Sequence, residues 1–312
     1  MAIIYLMSLS LRLDSVQRRL ASVITTEIET LLETPIGIES IRVIHLDEII
    51  LKNITLRDTV GDTIISVKEA TAHISPYELL KKRIQINTLA LASPDIKIYR
   101  TTSQSPLNIQ FIIDKLKKEE NKDNPKLALR INQMLIYDGK FHYDINEAPV
   151  LQERFDPSHI AVENIDCNIS MKKFIDDELE LLIRSIKGDE KSGLQLRKLK
   201  TGIRANKGKV ELDEISILTS NSTILSDSII ISFDKENPKA IEIVGNINSD
   251  KFTITDYAPL FKNIPQGIPT LAFNIATHSN SAVSRTIISA KSIDKNIALK
   301  ATASIDRPFD KE

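Results

Sequence analysis

Residues 49–56 read Ile-Ile-Leu-Lys-Asn-Ile-Thr-Leu, and the spacing of their apolar side chains decides the fold. Ile49 and Leu51 lie two apart, as do Ile54 and Leu56, and a step of three separates the two dyads. A strand sends successive side chains to opposite faces, so each dyad shares a face. The step of three would turn the second dyad to the other side. A one-residue bulge absorbs the extra residue and keeps all four side chains together. The same figure returns as Ile36, Ile38, Ile41, Val43 and as Ile84, Ile86, Leu89, Leu91. It recurs again as Ile160, Val162, Ile165, Cys167 and as Val210, Leu212, Ile215, Ile217. Most junctions lack the Gly, Pro or Asn-Gly that a hairpin turn calls for, which favours the bulge. Bulges bend and twist strands, so a sheet bulged at many strands is expected to curl.

Plain alternation fills the intervals, and the dyads predicted to line an apolar groove follow from it. They are Ile84 with Ile86, Ile96 with Ile98, Leu129 with Ile131, Phe141 with Tyr143, Leu179 with Leu181, and Ile229 with Ile231. Strands follow one another with no regular intervening helix, which predicts an antiparallel meander. Gly61-Asp62-Thr63 reads as a hairpin turn.

Helices are expected in few places. From Asp14 to Thr34, Val16, Leu20, Val23, Ile24, Ile28, Leu31 and Leu32 recur at helical spacing before Pro35 stops the run. Ser75-Pro76-Tyr77-Glu78 fits a capping box ahead of Leu79 and Leu80. Ser105-Pro106 opens a helix through Leu107, Phe111, Ile112 and Leu116, and the charged run 117–126 reads as a solvated loop. Near Asp256 to Phe261, Tyr257, Leu260 and Phe261 are placed to cover a sheet end. Residues 1–13 are mostly apolar but fall short of the about 20 residues a bilayer span needs. They fit a truncated membrane anchor or the first turn of the following helix.

The fold class is therefore mainly β: an N-terminal amphipathic helix over 14–34, then an elongated, curled antiparallel sheet over 35–312. That sheet is an open β-groove with a few short covering helices.

Composition narrows the function. The 312 residues carry a net charge of −1, with 41 Lys and Arg and no basic tract, a poor match for phosphate-rich nucleic acid. One cysteine, Cys167, excludes a disulfide framework, and its alternation with Ile165 and Ile169 marks it as a small buried apolar residue. His45, His73, His142, His159 and His278 lack metal-ligand spacing. The acidic run at 176–178 reads as a solvated turn. No nucleophile elbow or phosphate loop is present, so neither a catalytic residue, a metal nor a cofactor is assigned and the chain reads as non-enzymatic. Hydrophobic residues make up 42%, aromatics only 5%, and Trp is absent.

Several motifs in order resemble the amino-terminal part of the translocation and assembly module proteins (TamB type) of the AsmA-like group. They are Val16-Gln17-Arg18-Arg19-Leu20, Leu51 to Leu56 with Asn53, Gly61-Asp62-Thr63, the Leu79-Leu80 helix and Ile98-Tyr99-Arg100. Pro106-Leu107-Asn108-Ile109-Gln110-Phe111, and Tyr137-Asp138-Gly139 ahead of Phe141-His142-Tyr143, continue the likeness. The resemblance implies a protein anchored in the inner membrane by its N-terminus and facing the periplasm of a double-membraned bacterium. Its β-groove would carry phospholipid acyl chains between inner and outer membrane. An outer-membrane barrel protein would be met through a carboxy-terminal domain that is absent here, so the groove region is expected to be incomplete at its C-terminus.

Three functions fit these readings. The first is a lipid-handling groove. The second is a chaperone-like scaffold for outer-membrane β-protein assembly and secretion, templating strands at a sheet edge. The third is a plain structural β-sandwich module.

Overall fold

The computed structural model describes residues 36–306 except 46, 59, 76–83, 113, 115–128, 153, 176–177, 234–240, 262, 265–266, 281–282 and 295. The amphipathic helix expected over 14–34, the apolar segment 1–13, the capping-box helix after Ser75 and the Asp176-Asp177 turn lie outside these residues or nearly so. The chain divides into two compact units, residues 1–152 with 156–166 and residues 153–155 with 167–312.

The first unit holds β1 (Ile36–His45), β2 (Glu48–Arg57), β3 (Thr63–Ile74), β4 (Ile84–Arg100), β5 (Leu129–Ile131), β6 (Gln133–Ile145) and the start of β7 (His159–Ile175). Their hydrogen-bonded order is β1-β2-β3-β4-β6-β7, with β5 also on β4. The Gly61 turn forms as expected. Asp58 Oδ1 accepts the N–H groups of Val60 and Asp62, and Gly61 has φ +100°.

One pairing corrects the all-antiparallel expectation: β4 runs parallel to both β5 and β6. The connection after β4 is long enough for a crossover, and residues 110–112 within it are helical. The sequence pattern could not reveal this, because both directions share the same two-residue period.

The second unit holds the rest of β7, β8 (Glu178–Glu190), β9 (Gln195–Asn206), β10 (Lys209–Leu218), β11 (Thr223–Phe233), β12 (Ile241–Phe252), β13 (Leu271–Ser279), β14 (Val283–Ser292) and β15 (Ala298–Asp306). These pair in sequence order, and the pairings from β8 to β15 are antiparallel. Between β12 and β13 a 3-10 turn spans Ile254–Leu260. Its Asp256 carboxylate accepts bonds from the Thr219 hydroxyl, the Asn221 backbone and side chain, and the Ser222 hydroxyl. Burial pushes that carboxyl up, but these hydrogen bonds outweigh it and hold it below the ordinary aspartate range. Tyr257 stacks on Phe252 at 5.1 Å, and Phe252 meets Phe273 edge-on at 5.3 Å. Of the three residues expected to cover this sheet end only Tyr257 does so, while Leu260 and Phe261 are exposed.

Candidate functional site

The site is an apolar face built by register. In the first unit, Ile36, Ile38, Ile41 and Val43 stand opposite Leu56, Ile54, Leu51 and Ile49. The last four stand opposite Ile65, Val67, Ala70 and Ala72. Those in turn oppose Ile96, Pro94, Leu91 and Leu89, the row reaching β6 at Phe141, Ile136 and Met134. Residues directly opposite each other share a face, so every strand adds its dyads to one apolar side.

The step of three is where the chain bulges. Asn53, Ser93, Asp138, Asn164 and Glu214 all have φ between 47° and 55°, and each directly precedes the first residue of the second dyad. A left-handed residue there gives the extra length of a bulge without moving the next side chain to the other face. In β1–β4 the inserted residues fall opposite one another, so Glu39, Asn53, Lys68 and Ser93 form a transverse line without any shift of register across it. The bulges thus form a crease across β1–β4, with one apolar dyad of each of these strands on either side. Side chains tie it on the polar side: Asn53 donates to Glu39 and Ser93 to Asp138.

In the second unit Leu179 and Leu181 oppose Ala205 and Ile203. Val210 and Leu212 of β10 stand opposite the same two residues on one side and Ile231 and Ile229 on the other. Glu214 bulges β10 and shifts the β9–β10 register between Asp213 and Ser216.

Among the residues expected to line the groove, Ile84 stands opposite Leu129, Ile86 opposite Ile131, Ile96 opposite Phe141, and Ile98 opposite Tyr143. Ile86, Ile96, Ile98, Ile131, Phe141, Tyr143, Leu179, Leu181, Ile229 and Ile231 are half-buried rather than enclosed. Among the described residues few apolar side chains are fully buried, and Val67, Ala70, Ile183 and Ile215 are among them. Cys167 is also buried, and burial pushes its thiol up, away from nucleophile chemistry.

Sequence reasoning missed the β3 row, although Ile65, Val67, Ala70 and Ala72 repeat the figure with alanine in the second dyad. It also missed Pro94 and Gly139, whose apolar character shows only once their neighbours are aligned. A Cβ on Gly139 would lie 2.9 Å from Ile136, 3.3 Å from Pro94 and 3.4 Å from Ile165.

The opposite face is polar and ion-paired. Arg204 bonds Glu211 at 3.1 Å and Asp213 at 2.9 Å, and Lys200 meets Glu214 at 2.8 Å. The Glu211 bond holds the Arg204 guanidinium further up, and Arg204 holds Glu211 down. In the first unit an open depression of about 1020 Å³ is lined by Asp95, Lys97, Lys140, His142 and Glu163, among others. His142 lies 3.4 Å from Asp95 and Lys140 lies 3.0 Å from Glu163. Solvated pairs of this kind are worth about 0–1 kcal/mol each, so they keep this face wet rather than hold the fold. Among the described residues no group of three His, Cys, Asp or Glu side chains could hold a metal ion. No protein family, curated protein or solved structure matches this chain.

Proposed function

We propose that the apolar face holds the acyl chains of phospholipids, in a non-enzymatic cell-envelope protein that moves lipid between membranes. The observation that supports this reading is the half-buried state of a register-matched aliphatic face backed by an ion-paired one. Aliphatic rows about 4.8 Å apart offer continuous contact to a chain lying across the strands, with no polar anchor to stop it. At about 0.8 kcal/mol per CH2, a half-covered chain of roughly sixteen carbons gains about 6 kcal/mol, enough to hold it and weak enough to let it slide.

The test is lipid content. Purified protein is expected to carry phospholipid by mass spectrometry and to bind a fluorescent acyl probe, and Ile131→Glu and Leu181→Glu are each expected to weaken that binding. Protein that carries no lipid and ignores the probe sinks the reading, as do two folded variants that bind normally.

One observation favours the scaffold as a second reading. β15 alternates cleanly, and Leu299 and Ile305 on one side of it are 59% and 58% exposed. Crosslinkers on β15 would then capture nascent barrel strands, with lipid irrelevant.

A further inference from the structure

We propose that residues 14–34 lie on the apolar face of β1–β3 in the first unit, as a built-in plug over that end of the face. β1 pairs with β2 alone among the described strands, and no second sheet is present among the described residues. An end strand of a bare sheet leaves apolar side chains in water, as β15 does with Leu299 and Ile305 at 59% and 58% exposed. Ile41 and Val43 of β1 are each only 7% exposed. They are therefore covered by chain outside the described strands.

The burial has a shape. Four rungs cross the three strands, at Ile36–Leu56–Ile65, Ile38–Ile54–Val67, Ile41–Leu51–Ala70 and Val43–Ile49–Ala72. Leu56, Val67, Ala70 and Ala72 are buried along with Ile41 and Val43, so every rung holds a buried residue. On β4, Ile96, Leu91 and Leu89 are only half-buried and mark the far side of the cover. The covered area thus runs along the strands for about 24 Å and is three strands wide.

Residues 14–34 match it. As a helix they are about 31 Å long and about 10 Å across, enough for four rungs and three strands. Their stripe, with Leu20, Ile24, Ile28 and Leu31, supplies the apolar surface. Pro35 ends the run beside Ile36, so the segment joins the covered area at its first rung. Other connections fit less well. Residues 76–83 are tied to β3 and β4 beyond the last rung, and eight residues out and back reach only about 13 Å. Residues 117–126 carry seven charges, which an apolar face would not hold. The inference stands on the burial of β1 whatever the face carries. On the acyl-chain reading, the plug leaves Ile96, Ile98, Phe141 and Tyr143 as the open part of this unit.

The test uses the full chain, delipidated so that bound lipid cannot act as the cover. Single thiols are introduced by Ile41→Cys and, as the bare reference, by Ile305→Cys; Cys167 is buried and labels poorly. The thiol at 41 is expected to react with a maleimide at least about tenfold more slowly than the thiol at 305. Leu20→Asp with Ile24→Asp, on the stripe, should bring the two rates together. Ser22→Asp, on the opposite side of the helix, should leave them apart. A stripe variant that loosened β1 itself would give the same rates, so a photo-crosslinking residue at position 24 of the otherwise unaltered chain gives an independent reading. It is expected to link to β1–β3 of the same chain. Equal rates at 41 and 305 overturn the proposal, as do protection that survives the stripe substitutions and crosslinks that fall only elsewhere.

Discussion

The hydroxyl of Ser93 donates to the carboxylate of Asp138 at 3.2 Å, and both residues are left-handed, at φ 47° and 53°. They belong to β4 and β6, the parallel pair, and fall at the same level of the crease: Ala92 pairs with Tyr137 and Asp95 with Lys140. Two bulges side by side leave the ladder in register on both sides. The crease therefore costs local backbone strain and a short break in the pairing, but no shift of register.

That strain predicts a specific ranking. A left-handed backbone costs a side chain with a Cβ about 1–2 kcal/mol, less for Asn and Asp and nothing for Gly. Asp138→Gly is expected to be close to neutral in urea denaturation. Asp138→Val, whose branched Cβ fits this conformation worst, should lose about 2 kcal/mol or more. Equal stability of the two variants would mean that the crease does not depend on the left-handed residue.

Gly139 follows at once in the chain and fails for a different reason. Its φ is not in the left-handed region, but Ile136, Pro94 and Ile165 fill the space a methyl group would need. Gly139→Ala is expected to destabilise by about 1–3 kcal/mol through overpacking. Adding Ile136→Leu, which removes the Cγ2 methyl that the new Cβ would meet while keeping the side-chain volume, should restore part of it. A double variant no better than the single would place the strain in the backbone.

His159 supplies a pH dependence. Its ring is 7% exposed, with Nδ1 3.0 Å from Asp144 Oδ1 and Nε2 3.0 Å from the Ala148 carbonyl. Two acceptors need two ring protons. The Asp144 bond first, and then the Ala148 bond, raise its pKa above the ordinary histidine value despite burial. A raised native value means the native state binds the proton more tightly than the unfolded chain. The contribution is full below about 6.5, the unfolded value, and fades as pH rises through the raised native one. Thermal stability should fall across that window in the wild type and flatten in His159→Gln. An NMR titration of His159 at or below the free-histidine value would contradict the assignment.

Much of the strand field was legible because its signal is local. Period two survives in Ile49 and Leu51 whatever the strand pairs with, and a step of three between dyads can keep one face only through a bulge. Asn53, Asn164 and Glu214 stand where that argument needs them. The β3 row was harder to read, because Ala70 and Ala72 carry too little apolar area to stand out until Leu51 and Leu91 are placed on either side of them.

By itself, then, the sequence determined the strands, the face each dyad belongs to and the positions of bulges, since these depend on residues two or three apart. Only the tertiary structure decided that β4 and β6 run parallel and that bulges from separate strands align into one crease. It alone also showed that Leu260 and Phe261 stand out from a turn pinned by Asp256. Those outcomes depend on which backbone meets which across dozens of residues. The free energies that choose among such pairings are shared by both partners and written in neither strand alone.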